Sequence, residues 1–200
     1  MENKKLEQLI ARIRELENEL AGEIEKKEAE FLYHIRGRKV RFDREMKRRH
    51  KALVQRVPRY LREASPANLL TVPLIWACLL PALLIDLAVT IFHAVCFPVY
   101  GIPKVRRGDY IVIDRHSLSY LNVIEKINCA YCGYFNGLIA YIREIAARTE
   151  QYWCPIKHAR RLGSFHSRYN RFLEYGDAEG FRLELARVRR NFSDLPRAGK

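Results

Sequence analysis

The stretch "LLTVPLIWACLLPALLIDLAVTIFHAVCFPV", Leu69–Val99, decides how this chain is built. It carries one charged residue, Asp86, in 31 positions. About 20 apolar residues suffice to cross a hydrocarbon core of about 30 Å, and 31 helical residues at about 1.5 Å each would reach roughly 46 Å. A buried helix of a water-soluble domain is rarely so long and so apolar. Pro73 and Pro81 interrupt the run and Pro98 closes it. Each interior proline removes a backbone donor and tends to kink or break a helix. Two topologies follow: a single kinked span from about Val72 to Val95, or a re-entrant hairpin that turns near Pro81.

The flanking charges bear on that choice. Of the net +13, residues 33–64 contribute +9, residues 65–100 contribute −1, residues 1–32 contribute −3 and residues 101–200 contribute +8. Lys/Arg-rich flanks favour the cytoplasmic side of a membrane. A hairpin places both flanks there and a single span does not, so the charges favour the hairpin. Asp86 reads as a helix cap or a residue reaching an interface, with a functional intramembrane carboxylate as the sharper alternative; His93 or an arginine from elsewhere is its candidate partner.

Upstream, Arg36, Arg38, Lys39, Arg41, Arg44, Lys47, Arg48, Arg49 and Lys51 crowd sixteen positions. Their place directly before an apolar strip points to anionic lipid headgroups, at about 1 kcal/mol per basic residue near the surface. A nucleic-acid arm would carry a similar composition and is the lesser expectation. Ser65-Pro66 fits an N-cap with proline at the first helical position. Further upstream, Leu6, Leu9, Ile13, Leu16 and Leu20 repeat at 3-4-3-4 spacing, and Ile24, Phe31 and Ile35 continue the stripe more loosely. A long helix over about residues 4–33 follows, either pairing with itself or a protein partner as a coiled coil or packing on its own chain. The charged start has no apolar core of a secretory signal.

Five cysteines are present; Cys78 and Cys96 lie in the apolar run and read as small hydrophobes. "NCAYCGYFNG", Asn128–Gly137, holds Cys129 and Cys132, and "WCPIKH" adds Cys154 and His158. Two thiolates three residues apart chelate one ion if the backbone between them turns tightly, and Cys154 and His158 share a helical face at i, i+4. The four make a Cys₃His set, a closed tetrahedral arrangement that suits structural Zn²⁺ better than iron. A dithiol redox pair at Cys129/Cys132 is the alternative. The C-x-x-C-G-aromatic pattern resembles the knuckle of rubredoxins and zinc ribbons, in which a glycine after the second cysteine takes positive φ; here histidine, four positions on, stands where a cysteine would close the set. The longer run "IAYIREIAARTEQYWCPIKHARR" resembles an uncharacterised family of small bacterial membrane-associated proteins. That resemblance implies a bacterial inner-membrane setting and no particular activity.

The remaining patterns are helical, at residues 118–127, 138–153 and 177–192, with an extended "DYIVID" at Asp109–Asp114. His116, His166, Glu125, Glu144 and Glu150 could serve as general bases, but read more simply as hydrogen-bonded or ion-paired residues. No phosphate-binding glycine loop, H-E-x-x-H or G-x-S-x-G occurs. The expectation is a mainly α protein: a coiled-coil helix over 1–33, a basic juxtamembrane helix over 34–66, a membrane anchor over 67–100, a metal-stapled helical domain over 101–194 and a tail over 195–200. Its expected role is a zinc-stapled, non-enzymatic adaptor on the cytoplasmic face of a bacterial inner membrane. A membrane-bound metal- or thiol-dependent redox enzyme is the alternative, and a nucleic-acid-binding membrane protein the third.

Overall fold

The computed structural model describes residues 2–31, 33–36 and 39–195. The protein is mainly helical, and it divides into two compact units, Met1–Glu63 with Asp114–Ala130, and Ala64–Ile113 with Tyr131–Lys200.

The first unit begins with α1, Glu2–Glu30, followed by an antiparallel pair, β1 (Tyr33–Arg36) and β2 (Lys39–Phe42). Two short helices follow, α2 (Arg44–Ala52) and α3 (Val57–Glu63). The expected basic helix over 34–66 is therefore corrected to a hairpin and two helices. Tyr-His-Ile-Arg and Lys-Val-Arg-Phe alternate apolar and polar residues at period two, which is strand spacing. The register pairs Tyr33 with Phe42 and Ile35 with Val40. Pro58 lies in the first turn of α3, where its missing N–H breaks no helical bond. Rings then stack in sequence: Tyr33 on Phe42 at 5.7 Å, Phe42 on His50 at 5.1 Å, His50 on Tyr120 at 5.0 Å.

The second unit is organised around the apolar stretch. It folds as α4 (Pro66–Ala77) and α5 (Leu79–Tyr100), which form one continuous helical run with a local break at Cys78. The re-entrant hairpin is thus not formed. The break has a direct cause. Pro81 cannot donate to the carbonyl of Ala77, and its ring crowds that carbonyl, so α4 ends at Ala77. The chain needs one tight turn there, Cys78 N–H to Ile75 O at 3.2 Å, and then resumes in the same direction. Pro81 itself sits in the first turn of α5, where a donor is dispensable. At the far end Gly101, at φ 67°, closes α5 in a Schellman motif: Ile102 N–H reaches Phe97 O at 2.9 Å and Gly101 N–H reaches Pro98 O at 3.2 Å. Phe97 and Ile102 are both buried there.

α6, Val123–Trp153, is the longest helix. A reciprocal cap opens it: Asn122 Oδ1 accepts from Glu125 N–H at 3.0 Å, and Glu125 Oε2 accepts from Asn122 N–H at 2.8 Å. Within the second unit α6 accompanies α5 in the same direction. Ile75 meets Tyr131, Asp86 meets Tyr134, His93 meets Tyr141 and Tyr100 stacks on Tyr152, so both numbers rise together. Beyond Pro155, a parallel bridge joins Ile156 to Leu173, and α7, Ala178–Val188, completes the fold.

Between α5 and α6, residues 101–113 run back as a strap. Pro103 O and Lys104 O accept from Arg148 Nη1 at 2.8 and 3.2 Å, and Val105 N–H donates to His93 Nε2 at 2.9 Å. Arg107 pairs bidentately with Asp86, and the strap backbone at Tyr110, Ile111 and Val112 lies over Gly137 and Gly133 of α6. The buried core of this unit gathers Phe97, Ile102, Val105, Leu138, Tyr141 and Ile145 from these three layers. Each such side chain contributes about 1.5–3 kcal/mol of hydrophobic stabilisation.

Candidate functional site

The four expected metal ligands do not converge. Cys129 and Cys132 lie inside the unbroken α6, and Cys154 is the residue just past its end. Cys132 and Cys154 are separated by 22 residues of helix, about 33 Å at 1.5 Å each. A tetrahedral zinc ion needs every ligand within about 2.3 Å. The four side chains of the expected Cys₃His set are therefore not brought together here. Among the described residues no group of three or more His, Cys, Asp or Glu side chains could hold a metal ion. His158 instead stacks on Tyr169 with ring centroids 6.0 Å apart, and its backbone N–H donates to the Tyr169 hydroxyl at 2.8 Å. The thiols are unpaired, with Cys132 and Cys154 exposed and Cys129 half-buried. Cys129 lies beyond the first turn of α6.

Gly133 has a different purpose from the one the knuckle pattern suggests. A Cβ at Gly133 would lie 3.1 Å from Val112 O, and one at Gly137 would lie 2.6 Å from Tyr110 O. These two glycines, one helical turn apart, form the bed on which the strap lies.

The basic cluster is placed in part. Arg38 lies outside the described residues, and for Arg36 and Lys39 only the backbone, in β1 and β2, is described. Arg41, Arg44, Lys47, Arg48, Arg49 and Lys51 are all exposed, and Arg49 is tied to Glu45 at 2.6 Å. Helical spacing places Arg44, Lys47, Arg48 and Lys51 on one face of α2, with Met46 and His50, both half-buried, on another. α1 carries its apolar seam outward: Ile13, Leu16, Leu20 and Ile24 are all exposed. The side chains of Leu6 and Leu9 lie outside the described residues.

The apolar helical run is the main site. Only 11 % of its most apolar window is buried within the chain, which separates it from the core helix of a compact domain. Leu80, Leu84, Leu87, Ile91, Val95 and Val99 present bare hydrocarbon along α5. On its covered side the helix carries two polar groups, and both hold the strap. Asp86 accepts from Arg107, from the Tyr134 hydroxyl at 2.7 Å and from Thr90. The partner of Asp86 is thus an arginine 21 residues on, and a bidentate fork at an apolar helix is a strong, directional tie. His93, buried against Phe97 and Tyr141, accepts at Nε2, so its neutral ring carries the proton on Nδ1, 3.4 Å from the Tyr141 hydroxyl.

Around the end of α6 lies a second polar node. Glu144 and Arg148 pair at 2.8 Å with both side chains buried, and Ser167 donates to Glu144 at 2.5 Å. Fully buried Arg168 donates from Nε to Gln151 Oε1 at 2.6 Å, from Nη1 to Asp194 at 2.5 Å and from Nη2 to Asn191 O at 3.1 Å. His166, beside it, lies 3.1 Å from Glu150. Burial holds the His166 ring below the ordinary histidine range, against the pull of Glu150 and Glu144 and with the help of Arg143. An unfolded histidine titrates near pH 6.5, so just below that the unfolded chain binds the extra proton. Stability present above about pH 6.5 is expected to fall as the pH drops toward the lower folded value. Thermal unfolding between pH 8 and 5 should show that slope, and His166→Gln should flatten it.

No family model, curated protein or solved structure matches this chain.

Proposed function

We propose that this chain is a membrane-attached adaptor. α4 and α5 anchor it in the bilayer, the basic face of α2 rests on anionic headgroups, and α1 is the arm that meets a protein partner or a second copy. The observation that carries this is the apolar helix Pro66–Tyr100, left bare by its own chain over most of its surface. Exposed hydrocarbon on that scale marks an interaction or membrane surface. The excess of Lys and Arg in residues 33–64 favours the cytoplasmic face for that segment, and a bacterial inner membrane is the setting we assign. The outward seam of α1 favours a binding role, because it offers a partner surface.

Two measurements test it. Protein expressed in cells is expected to stay with membranes through high salt and alkaline carbonate and to leave only with detergent; release by carbonate would refute the anchor. In nanodiscs, energy transfer from a fluorophore on α2 to labelled headgroups is expected to be stronger in anionic bilayers than in neutral ones. Replacing Arg44, Lys47, Arg48 and Lys51 by Gln removes four contacts worth about 1 kcal/mol each, enough to shift the docked fraction by about three orders of magnitude. Unchanged transfer in that variant would show that α2 does not face lipid.

A further inference from the structure

Within the second unit, an open groove of about 600 Å³ lies between α5 and α6, beside the break at Cys78. Pro81 and Ile85 form one wall, and Phe135, Ile139 and Ile142 form the other. Arg143 also lines it. We propose that this groove seats one acyl chain of an anionic phospholipid, with the phosphate held by the Arg143 guanidinium. The proposal rests on the membrane reading and adds a specific ligand to it.

Four observations point the same way. The walls offer an occupant almost no hydrogen-bonding atom, and water needs two to four polar partners to be held, so the groove favours hydrocarbon. The volume falls in the range of about 300–1,000 Å³ that suits small ligands. From Phe135 to Arg143 the groove follows α6 for about 12 Å at 1.5 Å per residue. Part of a single acyl chain lies along that length.

The fourth observation concerns Arg143. Its Nη2 donates to Ser164 Oγ at 3.1 Å and to Phe165 O. Those bonds hold the guanidinium beside the groove. Among the described residues Nε and Nη1 have no acceptor, which leaves two donors for a phosphate. Arginine is suited to this because its fork matches phosphate oxygens in pairs. Pro81, Ile85 and Ile139 in its walls are themselves exposed, which lets a lipid enter sideways from the bilayer.

The full chain in mild detergent, titrated with dioleoyl phosphatidylglycerol, dioleoyl phosphatidylcholine or oleate, tests this by native mass spectrometry. One phosphatidylglycerol per chain is expected, retained at least tenfold more tightly than phosphatidylcholine. Arg143→Gln should reduce that preference to about twofold. Ile139→Trp should fill the groove and abolish stoichiometric retention while leaving the thermal midpoint in place; Ile85→Trp, from the opposite wall, serves if that variant fails to fold. Equal, sub-stoichiometric binding of both phospholipids that neither tryptophan changes would overturn the site. Oleate bound more tightly than phosphatidylglycerol would overturn the choice of phospholipid, and a dimer lost with Ile139→Trp would overturn it in favour of a second copy. Carbonate resistance combined with any of these failures would leave the anchor standing and remove only the lipid site.

Discussion

An Arg168→Ala chain is expected to lose about 3–5 kcal/mol of stability, the range found when one member of a buried, hydrogen-bonded charge network is removed. Arg168 is 1 % exposed and Gln151 is 0 % exposed. The Gln151 amide is fully committed: its Nε2 donates to Val188 O and Asn191 O, and its Oε1 accepts only the Arg168 guanidinium. Without Arg168 that oxygen is buried with no donor, which alone costs about 1–3 kcal/mol. Asn191 O loses a donor, the ring of Phe192 loses the guanidinium 5.3 Å away, and the space vacated adds a cavity. Asp194 behaves differently because its side chain is one-third exposed and 3.1 Å from Arg171. Asn at that position keeps an acceptor oxygen within reach of water, but the buried Arg168 guanidinium loses its carboxylate, so Asp194→Asn should cost about 1–3 kcal/mol, less than Arg168→Ala, which also orphans Gln151 Oε1. Denaturant unfolding of both variants in the same detergent checks the contrast. Equal losses at the two positions would mean that the Gln151–Arg168 contact is not the centre of the node.

How much of this could be read from the sequence depends on the range of the signal. The apolar run was legible because its message is local: thirty-one positions with one charge report their own environment. The hairpin reading failed on a finer point. Pro81 does end a helix, at Ala77, but nothing in the sequence says whether the next helix turns back or continues, and the strap and α6 hold it straight. The basic segment misled because nine cations dominate it; the period-two alternation through residues 33–42 was present but short. The cysteine knuckle misled for a sharper reason. A glycine after C-x-x-C has two physical explanations, a positive φ or a close backbone approach, and Gly133 serves the second. The signal that could have decided was Asn122-x-x-Glu125, which opens a helix that no proline interrupts before Pro155. Arg107, Arg148 and Arg168 could not be picked out, because each looks like one more cation in a basic chain until its carboxylate, carbonyl or amide partner is known.

A Gly137→Ala substitution should produce the second large loss, and its sign separates two accounts of α6. On an isolated helix the change is favourable, by about 1 kcal/mol, since glycine is the poorer helix former. In this fold the new Cβ would lie 2.6 Å from Tyr110 O and 2.8 Å from Ile111 Cα, both of them backbone atoms that cannot rotate away. The strap would have to lift, and it is tied just before that point, by Arg148 and His93 at residues 103–105 and by Arg107 on Asp86. Overpacking of a well-filled site costs about 1–3 kcal/mol, which overrides the helix-propensity gain. If the strap leaves its bed altogether, Asp86 loses its guanidinium partner on an otherwise apolar helix and the loss grows further. Gly137→Leu is expected to lose more than Gly137→Ala. Gly133→Ala should be much milder, because its Cβ meets only Val112 O, at 3.1 Å. Limited trypsin digestion gives an independent readout: a lifted strap exposes the bonds after Arg106 and Arg107, so cleavage there should rise in the order wild type, Gly133→Ala, Gly137→Ala, Gly137→Leu. A Gly137→Ala chain that is stabilised by about 1 kcal/mol would show that helix propensity alone governs the position. The strap would then not lie on α6, and Asp86 would need another explanation.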